Sequence, residues 1–464
     1  MSKAINFAAL MLGLFAAGAS AQTTTANQLS QGPPPLPLTT GDTGYSSNPQ
    51  SGGPPFASVS ERFNESLPQW LRFSGELRER FEGYSGGGFK PNSTDDYDLH
   101  RLRLGILIAP LSWLKFFGQM QDARVWGRSP ALPPYQNTWD IRQAYVEIGE
   151  EGTGFALRAG RQDLNFGNGR LIGQSWWTNV SRSFDGFRGS YQRGNIRVDA
   201  FATSVVIVRD GVIDHHDWGN NLHGIYGSFR DLIPDSIFEP YTLWRLQQGF
   251  SNANVKPGHL DEHTYGFRWV GRVFRNADYR TEMAIQRGML GNDQIEAWTG
   301  HWVGGYTLSE AAGSPRMFVE YDYASGDKRA GDRTTQTFDP IYPSTHDKLG
   351  LADQFGWRNI QDARLGAEFK FGRKWSMATS FHDFWLANAH DALYPTRGSI
   401  VGFSPNGTAG THVGEELDAQ AIYQPTRQTQ IGFGYGHIFT AEFLNKATKG
   451  KDYNYPYTLF EYVF

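Results

Sequence analysis

The sequence predicts an all-β fold, a transmembrane antiparallel β-barrel of about 18 strands with short periplasmic turns and long extracellular loops. Three observations predict it. Apolar and polar side chains alternate with a period of two from Trp70 onward, tight and long connections alternate along the chain, and the last strand ends on an aromatic residue, Phe464.

The chain divides into three segments. Residues 1–21 carry Lys3, an apolar run from Phe7 to Ala17 and the small-x-small triplet Ala19-Ser20-Ala21. They read as a secretory signal cleaved after Ala21, with an apolar run too short to span a bilayer. Residues 22–67 are rich in Pro, Gly and Ser and cannot bury enough apolar surface to offset their ordering entropy, so a disordered periplasmic segment is expected. Residues 68–464 are expected to form the barrel, placing the protein in the bacterial outer membrane.

Within the barrel region, Leu71, Phe73, Gly75, Leu77 and Phe81 oppose Arg72, Ser74, Glu76, Arg78, Arg80 and Glu82. Leu102, Leu104, Ile106 and Ile108 oppose Arg101 and Arg103, and Ala363, Leu365, Ala367 and Phe369 oppose Asp362, Arg364 and Glu368. Strands are predicted at 70–84, 97–110, 113–127, 138–150, 154–164, 183–193, 195–208, 221–231, 236–249, 262–273, 277–290, 294–308, 314–326, 358–371, 374–388, 411–424, 427–441 and 452–464. In 113–127, Lys115, Gln119 and Gln121 fall on one face and Asp122 and Arg124 on the other, which a bulge would reconcile. Trp70, Trp113, Trp126, Trp139, Trp298, Trp302, Trp357, Trp375 and Tyr423 sit near strand ends, where interfacial girdles form.

A soluble β-sandwich, propeller or β-helix also yields alternating strands. Against it stand an apolar face rich in aromatic residues and Gly, and the lack of a 20–50-residue repeat. The chain has no Cys, which excludes disulfide scaffolds and thiol catalysis, and its net charge of -4 leaves no basic footprint for nucleic acid.

Magnitude assigns the faces. An Arg facing lipid at the midplane costs about 2–4 kcal/mol, so the charged faces must line water and the apolar faces must meet outer-membrane lipid. Eighteen tilted strands enclose a cylinder roughly 35 Å across, too wide for wall side chains alone to fill, so a channel narrowed by side chains and infolded loops is expected.

Residues 73–83 (FSGELRERFEG), 97–104 (YDLHRLRL), 117–126 (FGQMQDARVW), 141–148 (IRQAYVEI), 157–173 (LRAGRQDLNFGNGRLIG) and 320–327 (EYDYASGD) resemble the alginate export family of outer-membrane barrels. The stretch TFDPIYPSTHDKLGLADQFGWRN from Thr337, then DFWLANAHDALY and GFGYGHIF, extend the likeness across nearly all of 68–464. The resemblance implies a monomeric 18-stranded channel, an alginate exporter-like porin, that passes an anionic polysaccharide or small anionic solutes without a cofactor. It also implies periplasmic export-complex partners. Phe464 is the expected handle for the barrel assembly machinery. The Pro-rich amino-terminal segment departs from the family pattern.

Candidate pore-lining residues on the charged faces are Arg72, Arg78, Arg80, Arg101, Arg103, Asp122, Arg124, Arg142, Arg158, Arg188, Arg268, Glu320, Asp322, Arg364, Glu416 and Asp418. Arg161, Asp163 and Arg170 join them from the Gly160–Gly173 segment. Guanidinium groups bind carboxylates bidentately, so such a wall favours anions, while acids of the opposite sign let a polyanion slide. The plain alternative is that these charges form cross-strand ion ladders that hold the barrel round. Residues 160–173 either fold inward as a constriction or form an external loop. The loop 326–357 is mixed in charge and long enough to act as a gate or lid, and a solvated external loop is the expected reading. Ser380 and His382 share a face, as a Ser-His pair would, without a third partner legible in sequence. The runs His215-His216-Asp217 and Asp95, Asp96, Asp98 are read as loop polar clusters, with no metal site assigned.

Overall fold

Period-two alternation becomes one closed sheet in the computed structural model, which describes residues 63–131, 133–152, 154–396 and 400–464. The strands are β1 (Leu71–Ser85), β2 (Thr94–Leu111), β3 (Leu114–Trp126), β4 (Asn137–Gly149), β5 (Phe155–Gln162) and β6 (Phe184–Arg193). There follow β7 (Ile196–Ile207), β8 (His215–Arg230), β9 (Ser236–Phe250), β10 (Gly258–Phe274), β11 (Ala277–Leu290), β12 (Asp293–Thr307) and β13 (Arg316–Ala324). The two-residue β14 (Thr334–Thr335) lies in a loop, and β15 (Ile360–Phe371), β16 (Trp375–Leu386), β17 (His412–Tyr423), β18 (Thr429–Thr440) and β19 (Tyr453–Val463) complete the set. Leaving β14 aside, eighteen strands pair antiparallel with their chain neighbours and β19 returns to pair with β1. The signal and nearly all of the Pro-rich segment lie outside the described residues.

Closure is local chemistry. Gly75 and Phe464 exchange backbone hydrogen bonds at 2.7 and 2.9 Å. A Cβ on Gly75 would stand 2.2 Å from the Phe464 ring, so the ring needs the bare glycine to cross the seam.

The outer face is apolar and open, with Leu104, Met120, Phe187, Ile225, Leu365, Phe381 and Phe433 exposed. Trp70, Trp113, Trp126, Trp139, Trp298 and Trp375 are exposed near the strand ends as expected, but Trp357 is 5 % exposed and belongs to the interior. The expected wide bore is filled at one end. The connection 163–183 and the connection 325–359 both fold into the barrel, and they pair with each other through Gly173 N to Tyr342 O at 2.9 Å and Tyr342 N to Leu171 O at 2.9 Å. Phe338, Leu349, Leu351, Phe355 and Trp357 pack with Leu171, Ile172, Trp177, Ile295, Phe384 and Ile438 in one core. The solvated external loop expected at 326–357 is therefore corrected. Its apolar residues would be stranded in water outside the barrel, and the lumen buries them.

Candidate functional site

Three ionic regions line the lumen. The first is basic and faces the infolded loop 163–183. Arg78 donates to Trp176 O at 2.9 Å and to Trp177 O and Thr178 O at 3.2 Å. Arg101 donates to Trp176 O and Thr178 O at 3.0 Å each and pairs with Glu76, while Arg80 donates to Trp177 O and lies over the Trp177 ring. Arg103 reaches Glu76 at 3.0 Å and Ser181 Oγ at 2.7 Å. Three of these guanidinium groups, on Arg78, Arg80 and Arg101, take loop carbonyl oxygens as partners, while Arg80 also pairs with Glu82 and both Arg101 and Arg103 share Glu76, so the patch is only partly neutralised by carboxylates.

The second region is acidic and lies on β13 and β15–β17. Arg170, carried inward by loop 163–183, pairs with Glu320 at 2.6 Å and Asp322 at 3.0 Å. Because β13 is eight strands round from β5, this one side chain ties the loop to nearly the far wall. Arg364 reaches Glu320 at 3.3 Å, and His301 reaches Asp322 at 2.9 Å. Glu416 and Asp418 accept the amides of Ala352 and Leu351 at 2.8 and 3.1 Å. Gly350, with φ of +86°, allows that approach, since a Cβ there would meet Glu416 Oε2 at 2.1 Å.

The third region is an ion ladder near the short turns. Arg158 pairs with Glu147 at 2.6 Å and Glu151 at 2.9 Å, and Arg188 with Asp199 at 2.8 Å. Arg268 pairs separately with Glu239 at 2.5 Å. At the turn end of β1, Arg72 donates to the Pro68 and Leu71 carbonyls at 2.7 and 2.6 Å.

Register moves three expected lining residues to the outer face. Asp122 pairs with Leu102 and Arg124 with His100, both outward, and Asp122 holds Arg124 at 2.8 Å. The bulge lies in β4 instead of β3. The register slips between Gln119 and Met120, so Arg142 is the extra residue, and it turns inward beside Gln143 to reach Asp163 at 2.7 Å. Arg161 stands three residues from Arg158, so period two alone puts it on the other side; there it pairs with Asp185 at 2.8 Å. Sequence reading also missed Arg245, which pairs with Asp339, and Arg316, which pairs with Asp278 at 2.6 Å. Both sit at alternating inward positions and were legible by the same rule.

The Ser380–His382 pair acquires a third member. His382 Nδ1 lies 2.7 Å from Asp362 Oδ2, and Ser380 Oγ lies 3.3 Å from His382 Nε2. Ser380 Oγ also reaches Asp418 at 3.3 Å and accepts from Arg364 at 3.2 Å, and all three residues of the pair and partner are at most 4 % exposed. This is the packing of a buried ion network, since a nucleophile needs an open line of approach. Neither the His215-His216-Asp217 run nor the Asp95, Asp96, Asp98 run gathers three ligand atoms. Among the described residues His301, Glu320 and Asp322 do, but Arg170 and Arg364 already neutralise that cluster.

Outside the strands, Asp214 closes the loop before β8. Its carboxylate accepts the Arg209 amide at 2.6 Å and Asn137 Nδ2 at 2.9 Å, and its amide donates to Asp140 Oδ1 at 2.9 Å. Burial, helped by the Asp140 carboxylate, pushes its carboxyl from 3.8 up to about 7. The folded loop therefore holds a proton that the unfolded chain releases, so its attachment is complete below pH 3.8 and is lost as pH rises through about 7. Hydrogen exchange at the Arg209 and Asp214 amides, corrected for intrinsic rate, is expected to be faster at high pH than at low pH across that window. Asp214→Asn should abolish the difference; its persistence would assign it elsewhere.

Comparison with known proteins bears on the fold of this chain. Structures from Pseudomonas aeruginosa are similar to it: OccK3 (OpdO), with a TM-score of 0.57 at 11% identity, covers 88% of this chain and 99% of its own. OccK8 (OprE) has a TM-score of 0.57 at 9% identity over 85% and 98%, and OpdQ 0.56 at 12% over 86% and 99%. No curated protein matches the sequence. The alginate export family model matches residues 69–456. With that span covering nearly the whole closed sheet, the chain belongs to the alginate export family of outer-membrane β-barrels.

Proposed function

We propose that this outer-membrane channel is passive and anion-preferring, and that it passes an acidic saccharide chain or small anionic solutes through a lumen narrowed by its own loops. The observation that carries this reading is the basic patch of Arg78, Arg80, Arg101 and Arg103, four guanidinium groups that pair with the carboxylates of Glu76 and Glu82 and otherwise hold loop carbonyls and the Ser181 hydroxyl. Carbonyl dipoles orient guanidinium groups without cancelling their charge, so the patch keeps a positive field at the constriction. The acidic wall opposite supplies release, because conduction needs sites that let go as well as bind.

Reversal potentials in planar bilayers under a salt gradient test it. The wild type is expected to prefer chloride over potassium, and Arg103→Gln to lower that ratio by about fivefold, the effect of about 1 kcal/mol. Cation preference in the wild type would refute the reading. Uptake of small anions is the second reading, favoured by the two loops that occupy the lumen, since a polymer needs a continuous lane. Gene deletion separates the two, by loss of secreted polymer or by loss of solute uptake. Periplasmic partners belong to the export reading alone, and recognition of Phe464 by the assembly machinery to both.

A further inference from the structure

A cavity of about 390 Å³ lies between the inner wall of β1, β2 and β19 and the infolded loops, at the long-loop end of the lumen. Its walls are rings: Tyr84, Tyr97, Tyr135, Trp177, Tyr453 and Tyr455. The size falls in the range of small-molecule sites, which combine aromatic walls with a few placed polar groups.

Two observations point to what it takes. The first is a pair of unpartnered hydroxyls. Tyr453 and Tyr455 are 4 % and 5 % exposed, both line the cavity, and neither hydroxyl has a hydrogen-bond partner among the described residues. A buried tyrosine hydroxyl ordinarily finds one. The second is the state of the charges. Arg80 is engaged by Glu82 at 2.6 Å, and Arg128 by Asp95 at 3.0 Å and by the faces of Tyr97 and Tyr135 at 4.9 and 4.3 Å. Glu82 and Asp353 also line the space, held by Arg80 and His346, so each charged side chain on the wall already has an ionic partner and none is left to bind an anion.

We propose that this cavity is a docking subsite for one uncharged pyranose ring at the long-loop mouth of the channel. The apolar face of the ring lies against the tyrosine rings, and its hydroxyls meet Tyr453, Tyr455 and the Glu82 carboxylate. An aromatic ligand would use the ring faces but leave the hydroxyls unsatisfied, and an acid would find both lining arginines, Arg80 and Arg128, already paired with carboxylates. The inference rests on the channel reading only in that a solute entering the lumen reaches this pocket.

The test is saturation-transfer NMR and titration calorimetry with D-glucose on the full-length protein, in a detergent without a sugar headgroup. Saturable binding is expected, with D-glucuronate at least tenfold weaker. The double variant Tyr453→Phe, Tyr455→Phe keeps both rings and is expected to lose about tenfold in affinity, the worth of two neutral hydrogen bonds. Absent glucose binding, unchanged binding in the double variant, tighter binding of glucuronate, or displacement of glucose by benzyl alcohol at lower concentration would each overturn the proposal. Gln354→Trp, which fills the cavity from its loop wall and leaves both tyrosines in place, should abolish binding independently; retained affinity would also overturn it. These readouts need no ion flow, so they stand apart from the reversal potential that tests the anion channel.

Discussion

Replacing Arg170 by Met is expected to destabilise the barrel by about 3–5 kcal/mol, the cost of leaving a buried carboxylate without its partner. Arg170 is buried and holds both Glu320 and Asp322, themselves 4 % and 0 % exposed. Its guanidinium also stands 5.2 Å from the Trp357 ring, so it joins both infolded loops to the wall. Denaturant unfolding in lipid vesicles measures the loss, and single-channel conductance should rise as loop 163–183 comes away from β13. The triple variant with Glu320→Gln and Asp322→Asn separates charge from packing. It should recover most of the stability, and failure to recover would show that the side chain acts through its bulk instead.

Leu365→Arg is expected to cost about 2–4 kcal/mol, while the same change at Phe371 costs at most about 1 kcal/mol. Leu365 lies in the middle of β15, is 55 % exposed, and is flanked on the outer face by Val319 and Phe381. Phe371 ends the same strand at the short turn. Only a hydrocarbon layer centred on the strand makes the penalty depend on depth, because a guanidinium near the rim reaches water. Equal costs at the two positions in vesicle-based unfolding would contradict a lipid-facing outer wall.

Alternation carried most of the architecture because a strand has only two faces. The eighteen predicted strands all occur, and the largest displacement is at β8, which begins at His215 instead of 221 because His215 and His216 pair with Ile207 and Val206 of β7 across a break in register after Ser204. Where the rule fails, a local exception defeats it. The β4 bulge adds one residue and turns Arg142 inward, and no residue pattern in β3 or β4 announces which strand yields. Arg161 was misplaced for another reason: it was grouped with the Gly160–Gly173 segment, although the strand predicted at 154–164 already sets it on the face opposite Arg158.

The candidate site was legible as a set of residues but not as a set of pairs. Inward positions of Arg78, Arg101, Glu320 and Asp362 follow from period two. That Arg170 would cross the lumen to β13, or that Asp362 would complete the contact with His382, depends on partners 152 and 20 residues away in the chain. The sequence alone determined a closed sheet with an oily exterior and a charged interior, because hydropathy at period two is a property of each strand by itself. Only the tertiary structure decided that two loops enter the barrel, bury Phe338, Phe355 and Trp357, and spend much of the arginine wall on their own carbonyls. The energy of that choice lies in contacts between segments, which no single strand encodes.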